Sequence, residues 1–146
     1  MSRKMIEDLI FSYARRIDTG DFPGVAELFR HGRICSPHGE PNIGYDAVLA
    51  LYQSSTRLYP NGTPCTRHLT TNLSIDIQGD QASSHCYFTV MQALPDFPLQ
   101  AIISGHYEDQ FEKAGDQWRF SCRSMYPELL GDLSRHLLFD IATLAT

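Results

Sequence analysis

CTRHLTTNLSIDIQGDQASSHCYFTVMQA, residues 65–93, decides the fold class. From Cys65 onward the apolar positions Leu69, Leu73, Ile75 and Ile77 alternate with His68, Thr70, Asn72, Ser74 and Asp76, a period of two that a strand satisfies and a helix does not. Gly79-Asp80 is a turn signal. Beyond it Ala82, Ser84, Cys86, Phe88 and Val90 stand opposite His85, Tyr87, Thr89 and Met91. The stretch reads as one long hairpin. Further on, a Pro-rich loop over residues 94–98 leads to a strand over 99–113, Ala114-Gly115-Asp116 turns the chain, and 117–126 returns it as a second hairpin. In the tail, Leu130, Leu133, Leu137, Leu138 and Ile141 fall at helical spacing, in a segment that could instead pack on a neighbouring subunit.

Upstream of the hairpins the period is helical. Ile6, Leu9, Ile10, Tyr13, Ala14 and Ile17 recur at three and four, which predicts a helix over residues 3–18. Gly20 ends it, and Asp21 caps a shorter helix with Pro23 in its first turn and Val25, Leu28 and Phe29 facing inward. A short strand over 33–36, a loop over 37–44 and a third helix marked by Ala47, Val48, Leu51 and Tyr52 follow, ended by the loop at 59–64. Helices first and an antiparallel meander after is the order of an α+β fold, and 146 residues without repeat or linker suggest a single domain over 1–146.

Composition narrows the function classes. A formal net charge of -5 with no basic run argues against nucleic acid as partner. No stretch approaches the ~20 apolar residues of a membrane helix, and acids interrupt the opening MSRKMIEDLI, so the expected setting is cytoplasmic and off the membrane. Cys35, Cys65, Cys86 and Cys122 are scattered without C-x-x-C spacing and read as small core residues. The six histidines show no H-x-H, H-x-x-x-H or H-E-x-x-H spacing, and no glycine-rich phosphate cradle appears. Neither a metal nor any other cofactor is therefore expected, and the partner is a small molecule.

Four segments carry a family resemblance: YARRIDTGD at residues 13–21 with Phe29 after it, RHLTTN at 67–72, GHYEDQF at 105–111, and Trp118-Arg119-Phe120. In this order and at these intervals they resemble the SnoaL-like branch of the nuclear-transport-factor-like superfamily, over about residues 3–127. The resemblance implies a cone in which a curved antiparallel sheet wraps the N-terminal helices and encloses a pocket. It is nearest to the scytalone dehydratase and hexachlorocyclohexane dehydrochlorinase group, which uses an aspartate ending the first helix and a histidine opening the first long strand. Asp18 and His68 hold those positions here.

A carboxylate that orients an imidazole and stabilises its charged form lets the other ring nitrogen take a proton, which suits elimination or isomerisation. The expectation is a cofactor-independent lyase of the dehydratase type, or an isomerase, acting on a small cyclic or aromatic hydrophobic substrate through Asp18 and His68. The same fold serves non-catalytic binders, accessory subunits such as the β subunits of ring-hydroxylating dioxygenases, and polyketide-cyclase-like enzymes, so these remain open. Against the catalytic reading, Asp18 could simply bind backbone donors at a helix end.

Tyr13 and Tyr52 fit the helical apolar stripes and rank first as core, with a phenol able to reach the pocket. His85 and Arg123 are candidate substrate contacts, the arginine having an ion pair with an acid as its structural alternative. His106 is a weaker candidate, and His31, His38 and His136 show no pattern. Apolar residues on both parities of the long strands predict that the outer sheet face is covered in a homo-oligomer, a dimer or trimer.

Overall fold

A computed structural model describes residues 1–140. The chain runs α1 (Ser2–Asp18), α2 (Phe22–Leu28), β1 (Arg33–Cys35), β2 (Asn42–Ile43), α3 (Gly44–Ser55), β3 (Thr66–Gln78), β4 (Gln81–Leu94), β5 (Phe97–Ala114) and β6 (Gln117–Leu130). The six strands form one sheet in the order β2-β1-β6-β5-β4-β3. It is mixed rather than purely antiparallel, because β1 runs parallel to β6 through Arg33↔Cys122 and Cys35↔Ser124. Helix α1 packs on both β6 and the edge strand β3, which lie three places apart, so the sheet curves around it.

The α1 stripe follows the expected spacing: Ile6, Ile10, Tyr13 and Ile17 are buried. Gly20 then takes φ 75, and a Cβ there would stand 2.0 Å from the carbonyl oxygen of Gly62. Only glycine allows the helix end and the 59–64 loop to approach this closely. Asp21 caps α2 by accepting from the Gly24 amide at 2.9 Å, and the aromatic ring of Phe29 is fully buried beside it.

In β3 the strict alternation breaks. The pairing with β4 shifts register between Thr71 and Ser74, and Asn72 takes φ 54. One extra residue reverses the parity of everything beyond it. Thr66, His68 and Thr70 therefore turn toward the interior before the bulge, Leu73 and Ile75 after it, and Leu69 is exposed instead of sharing their face.

Three other expectations change. The loop at 94–98 is a two-residue turn, Pro95-Asp96, joining β4 to β5. Strand β6 continues to Leu130. Beyond it, residues 131–138 form no helix but fold back over the open end of the cone as a strap on their own chain. The Arg57 amide donates to the His136 carbonyl at 2.8 Å, the Leu138 amide to Ser55 at 3.0 Å, and Gln92 Nε2 to the Pro64 and Arg135 carbonyls at 3.1 Å each. Ile141 lies outside the described residues. The cysteines are mixed, with Cys86 and Cys122 buried and Cys35 and Cys65 half-buried.

Under the helices, Arg123 is fully buried and forks onto Asp109, Nε to Oδ1 at 2.8 Å and Nη2 to Oδ2 at 2.9 Å. Its guanidinium lies 4.3 Å from the Tyr13 ring centre and 3.8 Å from that of Tyr107. Burial alone would strip the charge from this arginine, but the Asp109 carboxylate holds its pKa above the ordinary value. Asp109→Ala should destabilise the protein by about 3–5 kcal/mol, because an uncompensated guanidinium would remain in the core. Urea denaturation checks this.

Candidate active site

Asp18 is the last residue of α1, and His68 is the third of β3. The Asp18 carboxylate accepts three hydrogen bonds: from the His68 amide at 2.8 Å, from Thr66 Oγ1 at 2.9 Å, and from His68 Nδ1 at 2.6 Å. Both side chains are largely enclosed, at 12% and 8% relative exposure. Desolvation pushes the Asp18 carboxyl upward, yet the bonds and charge of His68 with the Thr66 hydroxyl outweigh it, and the pKa falls below its ordinary 3.8. With Nδ1 facing the carboxylate, Nε2 is the ring nitrogen left for another partner.

The His68 ring lines a cavity of about 420 Å³ between helices and sheet. Its wall is mostly apolar: Ile17 from α1, Leu51 from α3, Phe88 and Val90 from β4, Ile103 from β5 and Leu133 from the strap. No lysine or arginine lines it among the described residues. Tyr13 and Tyr52 both line the cavity, and their hydroxyls hydrogen-bond each other. Desolvation raises the pKa of both phenols, so both stay protonated at neutral pH.

Two expected ligand contacts lie elsewhere. His85 is on the other face of β4, where its ring stacks 5.1 Å from His106, which in turn bonds Glu128 at 2.8 Å. Parity explains this, since Ala82, Ser84 and Cys86 are the inward set around it. Arg123 sits behind Tyr13 and Tyr107, spent on Asp109, and does not line the cavity. The residue that sequence reasoning missed is His136 on the strap. Its ring lines the cavity, lies 6.5 Å from the His68 ring centre, and is 8% exposed. The only local sequence signal is its place between Leu133 and Leu137, both of which face the same cavity. No group of three His, Cys, Asp or Glu side chains among the described residues is arranged to hold a metal.

Burial lowers His136 to about 4, helped by the nearby His68 and opposed by Asp18. The unfolded chain, with an ordinary histidine near 6.5, therefore takes up this proton first. Stability should be full above about pH 6.5 and fall as the pH drops toward 4, by roughly 3 kcal/mol from this group. The depressed Asp18 carboxyl adds a loss only at lower pH, as its own folded pKa is passed. Denaturation midpoints at pH 7 and pH 4.5 should converge in His136→Gln, which removes the first contribution.

Comparison with known proteins agrees with this architecture. The profile of the SnoaL-like domain matches residues 1–124. A Mycobacterium tuberculosis protein of unknown function, Rv3472, superposes with a TM-score of 0.72 at 26% identity, over 88% of this chain and 73% of its own. An NTF2-like protein with a cystatin-like fold from Novosphingobium aromaticivorans gives 0.73 at 19% identity, over 98% and 86%. A candidate scytalone dehydratase from Novosphingobium aromaticivorans DSM 12444 gives 0.71 at 20%, over 90% and 87%. No curated protein sequence matches the chain. The fold is thus the NTF2-like α+β cone, its sheet open at one edge rather than closed, and the chain belongs to the SnoaL-like domain family.

Proposed function

We propose that the protein is a cofactor-independent lyase of the dehydratase type, or an isomerase, in which His68 takes a proton from a small cyclic hydrophobic substrate. The observation that carries this reading is the 2.6 Å contact between His68 Nδ1 and Asp18 Oδ1, made by a ring that also lines the cavity. A carboxylate at that distance holds the Nδ1–H tautomer, aims Nε2, and stabilises the imidazolium formed when the proton arrives. About 420 Å³ is at the small end of ligand pockets, of a size for one or two rings. The structural likeness to a candidate scytalone dehydratase supports the same class of chemistry.

The step is a proton transfer with a paired electron shift. His68 Nε2 takes the proton from carbon, the C–H pair becomes a C=C bond, and an adjacent carbonyl takes up the displaced charge. In an elimination, a hydroxyl one carbon further leaves as water with the proton returned by His68. In an isomerisation the proton returns to a different carbon. Positioned base catalysis of this kind contributes about 10²–10⁴ in rate.

A second reading, a binder without chemistry, is favoured by the other two bonds to Asp18, which tie β3 to α1 whatever the ring does. Turnover separates the two. A panel of β-hydroxy cyclic ketones, followed by the absorbance of the conjugated product, should be converted by the wild type. His68→Ala should lower the rate about 10²–10⁴-fold without unfolding the protein. Asp18→Asn should lower it as well, and the double variant should lose little more than the worse single one, as expected for groups that act as a unit. Variants that melt earlier but turn over normally would end the catalytic reading.

A further inference from the structure

We propose that His136 is a second catalytic residue, a neutral imidazole that donates a hydrogen bond to the carbonyl oxygen of the substrate beside the carbon that His68 deprotonates. The substrate class is then an uncharged cyclic ketone. This rests on the reading of His68 as the base, and it adds the group that receives the charge.

Three observations support it. His136 is more than nine-tenths buried and lines the cavity, yet its Nδ1 has no hydrogen-bond partner and no side-chain bond is made by either ring nitrogen among the described residues. Buried polar groups without partners are rare in folded proteins; Nδ1 is sealed off, so Nε2, which also has no side-chain partner, is the ring nitrogen that a ligand in the cavity completes. Its ring centre lies 6.5 Å from that of His68, close enough for the two to address neighbouring atoms of one small molecule. The strap that carries it is fixed on both sides, by the Arg57 amide on the His136 carbonyl and by Gln92 on the Arg135 carbonyl, so the ring is held in place before a ligand arrives.

Its protonation state suits this task. The groups around it are His68 and Asp18 from β3 and α1; burial and His68 together outweigh the opposing pull of Asp18, leaving the imidazole uncharged at pH 7. A neutral imidazole offers an N–H that strengthens its bond as the carbonyl becomes an enolate, without surrendering the proton. The electron count closes: the proton goes from carbon to His68, the C–H pair forms C=C, and the carbonyl π pair moves to the oxygen held by His136. With no lysine or arginine on the described wall and a carboxylate already behind His68, an anionic substrate would find no cation to meet it.

The test uses β-tetralone, whose acidic C–H exchanges with solvent, and the planar pair β-naphthol and naphthalene as ligands with and without the oxygen. His136→Phe keeps the ring volume and removes the donor; circular dichroism and melting confirm that it folds. NMR in D2O should show exchange of β-tetralone accelerated by the wild type and slowed about 10²–10³-fold in His136→Phe. The wild type should also bind β-naphthol at least about tenfold more tightly than naphthalene, a preference that disappears in His136→Phe while naphthalene binding persists. Exchange that His68→Ala abolishes but His136→Phe leaves unchanged would overturn the role of His136 and spare the base. An equal preference for β-naphthol in wild type and His136→Phe would overturn it regardless of exchange. No exchange by the wild type, with the naphthol preference still dependent on His136, would instead sink the base and leave His136 as a ligand contact without catalysis, which also overturns the proposal as stated.

Discussion

A single carboxylate at the end of α1 ties the first helix to the edge strand of the sheet. The C-terminus of a helix is a poor place for an anion, since the unpaired carbonyls of the last turn already concentrate negative charge there. Asp18 is stable in that position because the Thr66 hydroxyl, the His68 amide and the His68 ring all donate to it. Those same donors are the first residues of β3, the edge strand. Seating the carboxylate and curling the far edge of the sheet onto the first helix are one event. The position of the imidazole follows from it.

The bulge at residues 71–74 lets β3 serve that junction and the core together. A regular strand could turn His68 inward or Leu73 and Ile75 inward, but not all three, because their spacings are odd. Asn72, in the left-handed region at φ 54, absorbs the extra residue at small cost for its type. From the sequence, the alternation was visible but the break in it was not: a lone asparagine among polar residues is an ordinary sight, and only the pairing with β4 shows that it resets the parity. Helix α1, the cap at Asp21 and the two hairpins were legible because each depends on contacts within a few residues. The parallel pairing of β1 with β6 and the return of the strap depend on residues more than forty positions apart, and no local pattern encodes them.

The same division applies to the site residues. That Asp18 and His68 meet could be expected from the motifs that surround them, and the burial of Tyr13 and Tyr52 from their helical stripes. His85 failed because membership of a strand says nothing of which face meets the cavity until the register is known; its neighbours Ser84 and Cys86 take the inner face. Arg123 could be foreseen as a paired cation, but not its partner, because Asp109 is set opposite it only by the register of β5 on β6. His136 was invisible for a different reason. Nothing chemical distinguishes it until the chain crosses the open end of the cone and brings it beside His68.

The interior also sorts its titratable groups by whether they have donors. Burial drives the Tyr13 and Tyr52 phenols and the His136 imidazole toward their uncharged forms, while Asp18, less fully buried and bonded three times, goes the other way. Apart from Glu40 on the exposed loop between β1 and β2, the charges around the cavity therefore lie one ring behind its described wall, the Asp18 carboxylate behind His68 and the Arg123–Asp109 pair behind Tyr13 and Tyr107. In the proposed reaction, the proton that His68 takes from a ligand forms an imidazolium beside the Asp18 carboxylate, in a medium less screening than water. The environment that makes an isolated charge costly thus makes this particular transfer easier, and it favours a ligand that brings no charge of its own.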